Sequence, residues 1–260
     1  MLASAQPAAL RSPLPPPSLR TMRMRLTDGA ATTLHVAAFP LAGVAVRVAR
    51  LTEPESLVRW CRRTGTANAI VGGFFVRPHN APLGELRIAD GPVEHVPFAP
   101  PWGAQRACVH AGPAGVAIAR RPELPPVPRG DLLQAGPLLV RDGASVVTGG
   151  DDEGFSAGAH QFDSDISDGR YPRCALALTR DRLLAVACDG RHRDDAGLTL
   201  GELADALVGL GARTALNLDG GGSASLVCHG ELVNRPRERH GVDLLDGREI
   251  ATALVFTLAG

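Results

Sequence analysis

Apolar residues along this chain recur mainly with a period of two. Val44, Val46 and Val48 alternate with small or charged residues, the pattern of a half-buried strand. "LRIADGPV" and "LLVRDGASV" each place Asp-Gly between such runs, which predicts hairpins. Two segments follow the helical period instead. "TEPESLVRWCRRTG" offers Thr52 as N-cap, Glu55 three residues on, apolar Leu57, Val58, Trp60 and Cys61, and a stopping Gly65. "TLGELADALVGLG" repeats the logic with Thr199, Glu202 and a terminal Gly211. The Pro-rich "RRPELPPVPRG" reads as a surface loop. Much of the chain therefore reads as sheet with two helices, and the alternative for the Pro-rich stretch is a seam between two subdomains.

Between Arg182 and Asp219 the order is an apolar strand "RLLAVAC", then "DGR", the second helix, the strand "RTALNL" and "DGGGS". A strand, helix, strand crossover makes its two strands parallel, so their C-terminal ends open on one edge of the sheet. Asp189 and Asp219 each follow such an end. Ligands collect outside these ends, which gathers both carboxylates, Arg191 and the glycine turn into one expected pocket.

Composition narrows the function classes. The 260 residues suffice for a substantial core, and formal net charge is zero, without the basic footprint of a nucleic-acid binder. All 27 basic residues are Arg. Five cysteines, odd in number and without CxxC pairs, indicate neither a disulfide framework nor a zinc site. No continuous apolar stretch has the length of a signal peptide or a membrane span, so a cytoplasmic, soluble protein is expected. Residues 1–23, with "PLPPP", are expected to be a disordered Pro-rich lead, and 24–260 the folded domain, starting at Met24. No GxGxxG, Walker loop or HExxH occurs.

Three successive glycines after Asp219 need a reason, since glycine inside an element costs about 0.5–1 kcal/mol relative to alanine. A glycine turn leaves backbone N–H groups bare, and Gly220, Gly221 and Gly222 would form an anion nest, with Ser223 beside it. Asp219 is the first candidate for acid or base catalysis, Asp189 its partner or an orienting carboxylate, and Asn217, two residues before Asp219, shares its strand face. The competing readings are turn-forming Asp residues and a satisfied buried amide. Arg173, Arg191 and Arg248 are phosphate candidates, set against solvated surface arginines. A Cys108/His110 hydrolase lacks an orienting third group. A divalent metal on His160, Asp163, Asp165 and Asp168 competes with a solvated acidic loop, and no cofactor or metal is expected for the reaction.

Ordered motifs then resemble the phosphodiester glycosidase family: "AIVGGFF" at Ala69 to Phe75, "AGPLLVRDG" at Ala135 to Gly143, "YPRCALAL" at Tyr171 to Leu178, and "ALNLDGGGSASLVCHGELVNRP". The resemblance covers about Thr66 to Phe256. It implies an α+β fold, extended mixed β-sheet with flanking helices in a single domain that can divide into two subdomains, and hydrolysis of an α-linked sugar from a phosphodiester. Gly72 and Gly73 would bring a second backbone segment to the pocket, set against simple packing with Phe74 and Phe75 as core. Three positions depart from the family pattern: Val71 replaces an Asn, Cys174 a Thr and Ala135 a Gly. The expected partner is a small-molecule or oligosaccharide substrate carrying phosphate, not nucleic acid. The alternatives are a non-catalytic carbohydrate- or phosphate-binding module, or a protein of exopolysaccharide metabolism.

Overall fold

The computed structural model describes residues 16–76, 79–148 and 169–258. In chain order the elements are β1 (Ser18–Arg25), β2 (Ala31–Pro40), β3 (Val44–Ser56), α1 (Leu57–Thr64), β4 (Ala69–Val71), β5 (Phe75–Val76), β6 (Ala81–Pro82), β7 (Leu86–Ile88), β8 (Gly91–Pro92) and α2 (Trp102–Gln105). There follow β9 (Ala107–Gly112), β10 (Gly115–Arg120), β11 (Asp131–Gln134), β12 (Leu138–Arg141), β13 (Ala144–Ser145), β14 (Arg173–Leu178) and β15 (Arg182–Cys188). Last come α3 (Leu200–Gly209), β16 (Thr214–Asn217), β17 (Leu226–Cys228), β18 (Glu231–Leu232) and β19 (Glu249–Leu258). The fold is α+β, as expected.

A seven-stranded sheet runs β1-β2-β15-β14-β16-β12-β13. Two five-stranded sheets, β18-β17-β4-β19-β3 and β10-β9-β11-β7-β8, complete the core. The period of two explains the layering, because successive side chains leave opposite faces of a strand. Ala175 and Ala177 of β14 and Leu184 and Val186 of β15 join Leu203 and Leu207 of α3 in one core. Their neighbours Cys174, Leu176, Leu183 and Ala185 point the other way, into a larger core with Ile70, Leu254 and Phe256.

The crossover from β15 through α3 to β16 has the expected sense. β14 is antiparallel to both β15 and β16, so those two strands are parallel with β14 inserted between them. Their C-terminal ends and the N-terminal end of β14 thus share one edge, with Arg173 opposite Cys188 and Ala175 opposite Asn217. α3 starts as its sequence predicts: Thr199 accepts from the Glu202 N–H at 3.1 Å and the Glu202 carboxylate accepts from the Thr199 N–H at 2.9 Å. Thr199→Ala should cost about 1 kcal/mol, read as a lowered denaturant midpoint at unchanged m-value. Loss beyond about 2 kcal/mol would mean that Thr199 does more than cap.

Three expectations need correction. Helix α1 begins at Leu57 after Ser56, not at Thr52. Pro54 disfavours helical dihedrals at Glu53, and the segment stays extended on an edge strand, with Glu55 opposite Ile250 across an irregularity in register. The ordered chain starts before Met24: Ser18–Arg25 pairs residue by residue with β2, from Ser18↔Ala38 to Arg25↔Ala31. Met22 and Met24 are half-buried against the α3 core, and its other side chains are exposed. The turn in "RIADGP" uses Ala89 and Asp90, both with positive φ, whereas "VRDGAS" does turn on Asp142 and Gly143. The five cysteines are all free and buried. Burial pushes the Cys61 and Cys188 thiols up to about 12, so both stay protonated. The Pro-rich stretch is indeed a loop, held where Arg121 donates to the Pro125 and Pro126 carbonyls and pairs with Glu85. The "PLPPP" lead lies almost wholly outside the described residues, as do His160, Asp163, Asp165 and Asp168.

Candidate active site

The site grows from the end of β16. Asp219 is 8% exposed, and its N–H donates to the Gly72 carbonyl at 3.0 Å, so the segment after β4 does meet the glycine turn. Gly72 and Gly73 are required by close backbone packing. A Cβ at 72 would lie 2.5 Å from Thr252 Oγ1 and one at 73 would lie 3.1 Å from the Gln134 carbonyl oxygen. The Asp219 Oδ1 accepts from the Gly220 N–H at 2.8 Å, which fixes the carboxylate's orientation at the strand end.

The triple glycine serves packing more than anion capture. The Gly220 N–H is spent on Asp219 and the Gly221 N–H donates to the Pro172 carbonyl at 2.8 Å, so neither is the bare donor that a nest needs. A Cβ at 220 would sit 2.7 Å from that same carbonyl oxygen, and one at 222 would sit 2.6 Å from Glu238 Oε1. Gly221 has φ +60, the left-handed region where a side chain is strained. The turn thereby lies flat against Pro172 on one side and admits a carboxylate on the other.

Asp189 and Asp219 share the sheet edge as predicted. Burial pushes the thiol of Cys174 well up, and Cys188 and the charges of Asp219 and Asp189 each add to this. Their surroundings differ. Asp189 is 3% exposed; its Oδ2 meets His35 Nε2 at 3.1 Å and its Oδ1 accepts from the Arg235 N–H at 2.7 Å. Thr21 Oγ1 lies 3.3 Å from the other nitrogen of His35. Both oxygens of Asp189 are therefore engaged by the protein, which makes it a strut between β15, β2 and the segment after β18 rather than a carboxylate facing solvent.

The arginines also separate. Arg173 is 2% exposed and donates from Nε to the Leu198 carbonyl at 2.7 Å and from Nη2 to the Gly169 carbonyl at 3.0 Å. Burial pushes its guanidinium down to about 10, still cationic at neutral pH. It stacks beneath Tyr171 and does not reach an open face, which corrects its reading as a phosphate ligand. Arg191 and Arg248 do approach the turn. Arg191 stands over Tyr171 and within 3.2 Å of a Cβ at 221. Arg248 donates from Nε and Nη2 to Ser223 Oγ at 3.2 and 2.9 Å. Ser223 is buried and holds this guanidinium rather than acting as a nucleophile. Asn217, 2% exposed, donates to the Leu218 carbonyl at 2.8 Å, while its Oδ1 is buried without a hydrogen-bond partner.

A cleft of about 380 Å³ adjoins the turn, lined by Tyr171, Arg191, Arg239, His240 and Gly241. Three of its walls escape sequence reading, Tyr171 and, from the "NRPRERHG" loop, Arg239 and His240, as does Glu238 of that loop, which stands at the turn between Arg191 and Arg248. The dense charge of that loop, directly after the family-like "VNRP", was the available signal. His110 faces the Arg129 carbonyl at 2.8 Å and forms no dyad with buried Cys108. Among the described residues no group of three or more His, Cys, Asp or Glu side chains is placed to hold a metal ion, and no helix is long and apolar enough to cross a membrane.

Known structures share this architecture. The catalytic domain of zebrafish N-acetylglucosamine-1-phosphodiester α-N-acetylglucosaminidase, solved auto-inhibited by its pro-peptide, superposes with a TM-score of 0.71 at 21% identity, over 96% of this chain and 85% of that one. A hypothetical protein from Synechocystis gives 0.67 at 19% identity, and this chain spans 62% of its length and matches over 93% of its own. A putative exported protein from Burkholderia pseudomallei gives 0.63 at 15% identity, over 88% and 74% of the two chains. No curated protein matches the chain by sequence. The family model described as phosphodiester glycosidase matches residues 64–257, a span that takes in β4, the crossover and the DGGGS turn. The chain belongs to the phosphodiester glycosidase family.

Proposed function

We propose that the protein hydrolyses an α-linked sugar from a glycosyl phosphodiester, with Asp219 moving the proton at the scissile bond and Arg191 and Arg248 holding the phosphate. The observation that carries this is the meeting of one oriented carboxylate and two arginines at a turn without side chains. Arginine forks suit the planar oxygens of a phosphate. Their positive charge stabilises the leaving phosphate as the sugar–oxygen bond breaks, and Asp219 supplies acid–base assistance. Tyr171 lines the adjoining cleft beside Arg191. No metal or cofactor enters this scheme.

A second reading, a binding module without turnover, is favoured by the departures Val71 and Ala135. Both are fully buried, and Val71 offers no amide to a substrate. Release of free sugar from a panel of α-glycosyl phosphodiesters, followed by NMR, separates the two. Turnover supports the enzyme; saturable binding without sugar release supports the module. Arg248→Ala should raise KM by about 10–100-fold, the scale of a lost charge-assisted hydrogen bond of about 1.5–3 kcal/mol. An unchanged KM would remove Arg248 from phosphate binding.

A further inference from the structure

Glu238 stands where the glycine turn opens. Its Oε1 lies 3.0 Å from Arg248 Nη1 and its Oε2 lies 3.7 Å from Arg191 Nη1. The same Oε1 fills the space that a side chain at 222 would need. All three side chains keep a share of solvent, at 14% for Arg191, 34% for Glu238 and 24% for Arg248, so an incoming ligand can reach them. The backbone beside it is anchored. Arg237, 2% exposed, donates to Asp243 at 2.7 Å and to the Gly190 carbonyl at 3.2 Å, and the Glu238 N–H donates to the Val242 carbonyl at 2.9 Å. Glu238 is thus held at the arginine pair by its own loop.

We propose that Glu238 sets the charge of the ligand this site accepts, matching it to the monoanion of a phosphodiester and disfavouring the dianion of a phosphomonoester. The inference rests on the phosphate reading of Arg191 and Arg248 given above. Two guanidinium charges less one carboxylate leave a single positive charge at the turn. Arg239 in the adjoining cleft and Asp219 at the start of the turn carry opposite charges that offset each other, and the Arg173 guanidinium lies buried, bonded to the Leu198 and Gly169 carbonyls. A phosphodiester bears one negative charge at neutral pH, whereas a monoester, with a second pKa of about 6, bears close to two. Glu238 therefore leaves room for one anionic charge and repels the second. This separates a glycosyl phosphodiester from the sugar 1-phosphate that shares its sugar and its first phosphate oxygens, a discrimination that sugar contacts alone do not provide.

The test is an NMR titration of the full chain with dimethyl phosphate and with methyl phosphate at pH 7.5 and fixed ionic strength. Wild type, Glu238→Gln and Glu238→Asp are compared. Glu238→Gln keeps the shape and removes the charge, and should shift the ratio of the two dissociation constants toward methyl phosphate by about tenfold, the scale of one charge contact near a solvated surface. Glu238→Asp keeps the charge and should keep the wild-type ratio. An unchanged ratio in Glu238→Gln overturns this inference and leaves the phosphate site standing. If turnover of a diester collapses in that variant while the ratio holds, the inference is also overturned, and Glu238 belongs to bond cleavage. Absence of binding to both probes in all three proteins overturns the phosphate reading and this inference together.

Discussion

Asp219→Asn should lower turnover of a glycosyl phosphodiester by about 10²–10⁴-fold while the protein melts within a few degrees of wild type. The substitution is chosen for what it keeps. The amide oxygen of Asn accepts from the Gly220 N–H as the carboxylate oxygen does, and the backbone bond from residue 219 to the Gly72 carbonyl does not involve the side chain. The turn should therefore stay closed over Pro172, with Arg191 and Arg248 in place. What is lost is a group that can give and take a proton and stabilise positive charge on the sugar. Binding of dimethyl phosphate, which needs only the arginines, should change less than threefold. Turnover within tenfold of wild type would remove Asp219 from the chemistry.

The elements that carry this prediction were legible in the sequence because their causes are local. The capping box of α3 and the apolar runs on either side of it dictate a crossover, and a crossover dictates that Asp189 and Asp219 emerge on one edge. Adjacency along the edge says nothing of what each carboxylate touches. The contact between Asp189 and His35 depends on the register of β2 against β15, where Cys188 faces Leu34 and Ala187 faces His35. That pairing joins positions more than 150 residues apart, so no window of sequence contains it. The partners of Arg173 are nearer in sequence, the Gly169 and Leu198 carbonyls, but a backbone acceptor carries no side-chain signal that marks it in advance. Glycine was read as exposing N–H donors, while in the fold those of Gly220 and Gly221 are consumed and the missing Cβ atoms leave room for Pro172 and Glu238. The start of β1 was hidden for a different reason: Ser18 to Thr21 are exposed on an edge strand and are held by backbone bonds that any sequence can make.

That division predicts opposite behaviour for the two aspartates. Asp189→Ala should destabilise the protein by about 2–4 kcal/mol, because it strips the partner from a buried His35 ring nitrogen and from the Arg235 N–H in the same step. For a domain of this size the melting temperature should fall by about 5–15 °C. Asp189→Asn should be milder, since its amide oxygen can still accept from Arg235. The loss also reaches the site, because Arg235 opens the segment that carries Arg237, Glu238, Arg239 and His240 to the glycine turn and the cleft. With that segment loosened, KM should rise more than kcat falls, the reverse of the expectation for Asp219→Asn. Thermal melts and steady-state kinetics on the two alanine and asparagine series decide it. A stable Asp189→Ala protein with kcat reduced a thousandfold would mean that this carboxylate leaves its strut during turnover and shares the proton chemistry, and the engaged geometry of Asp189 would then describe only the resting enzyme.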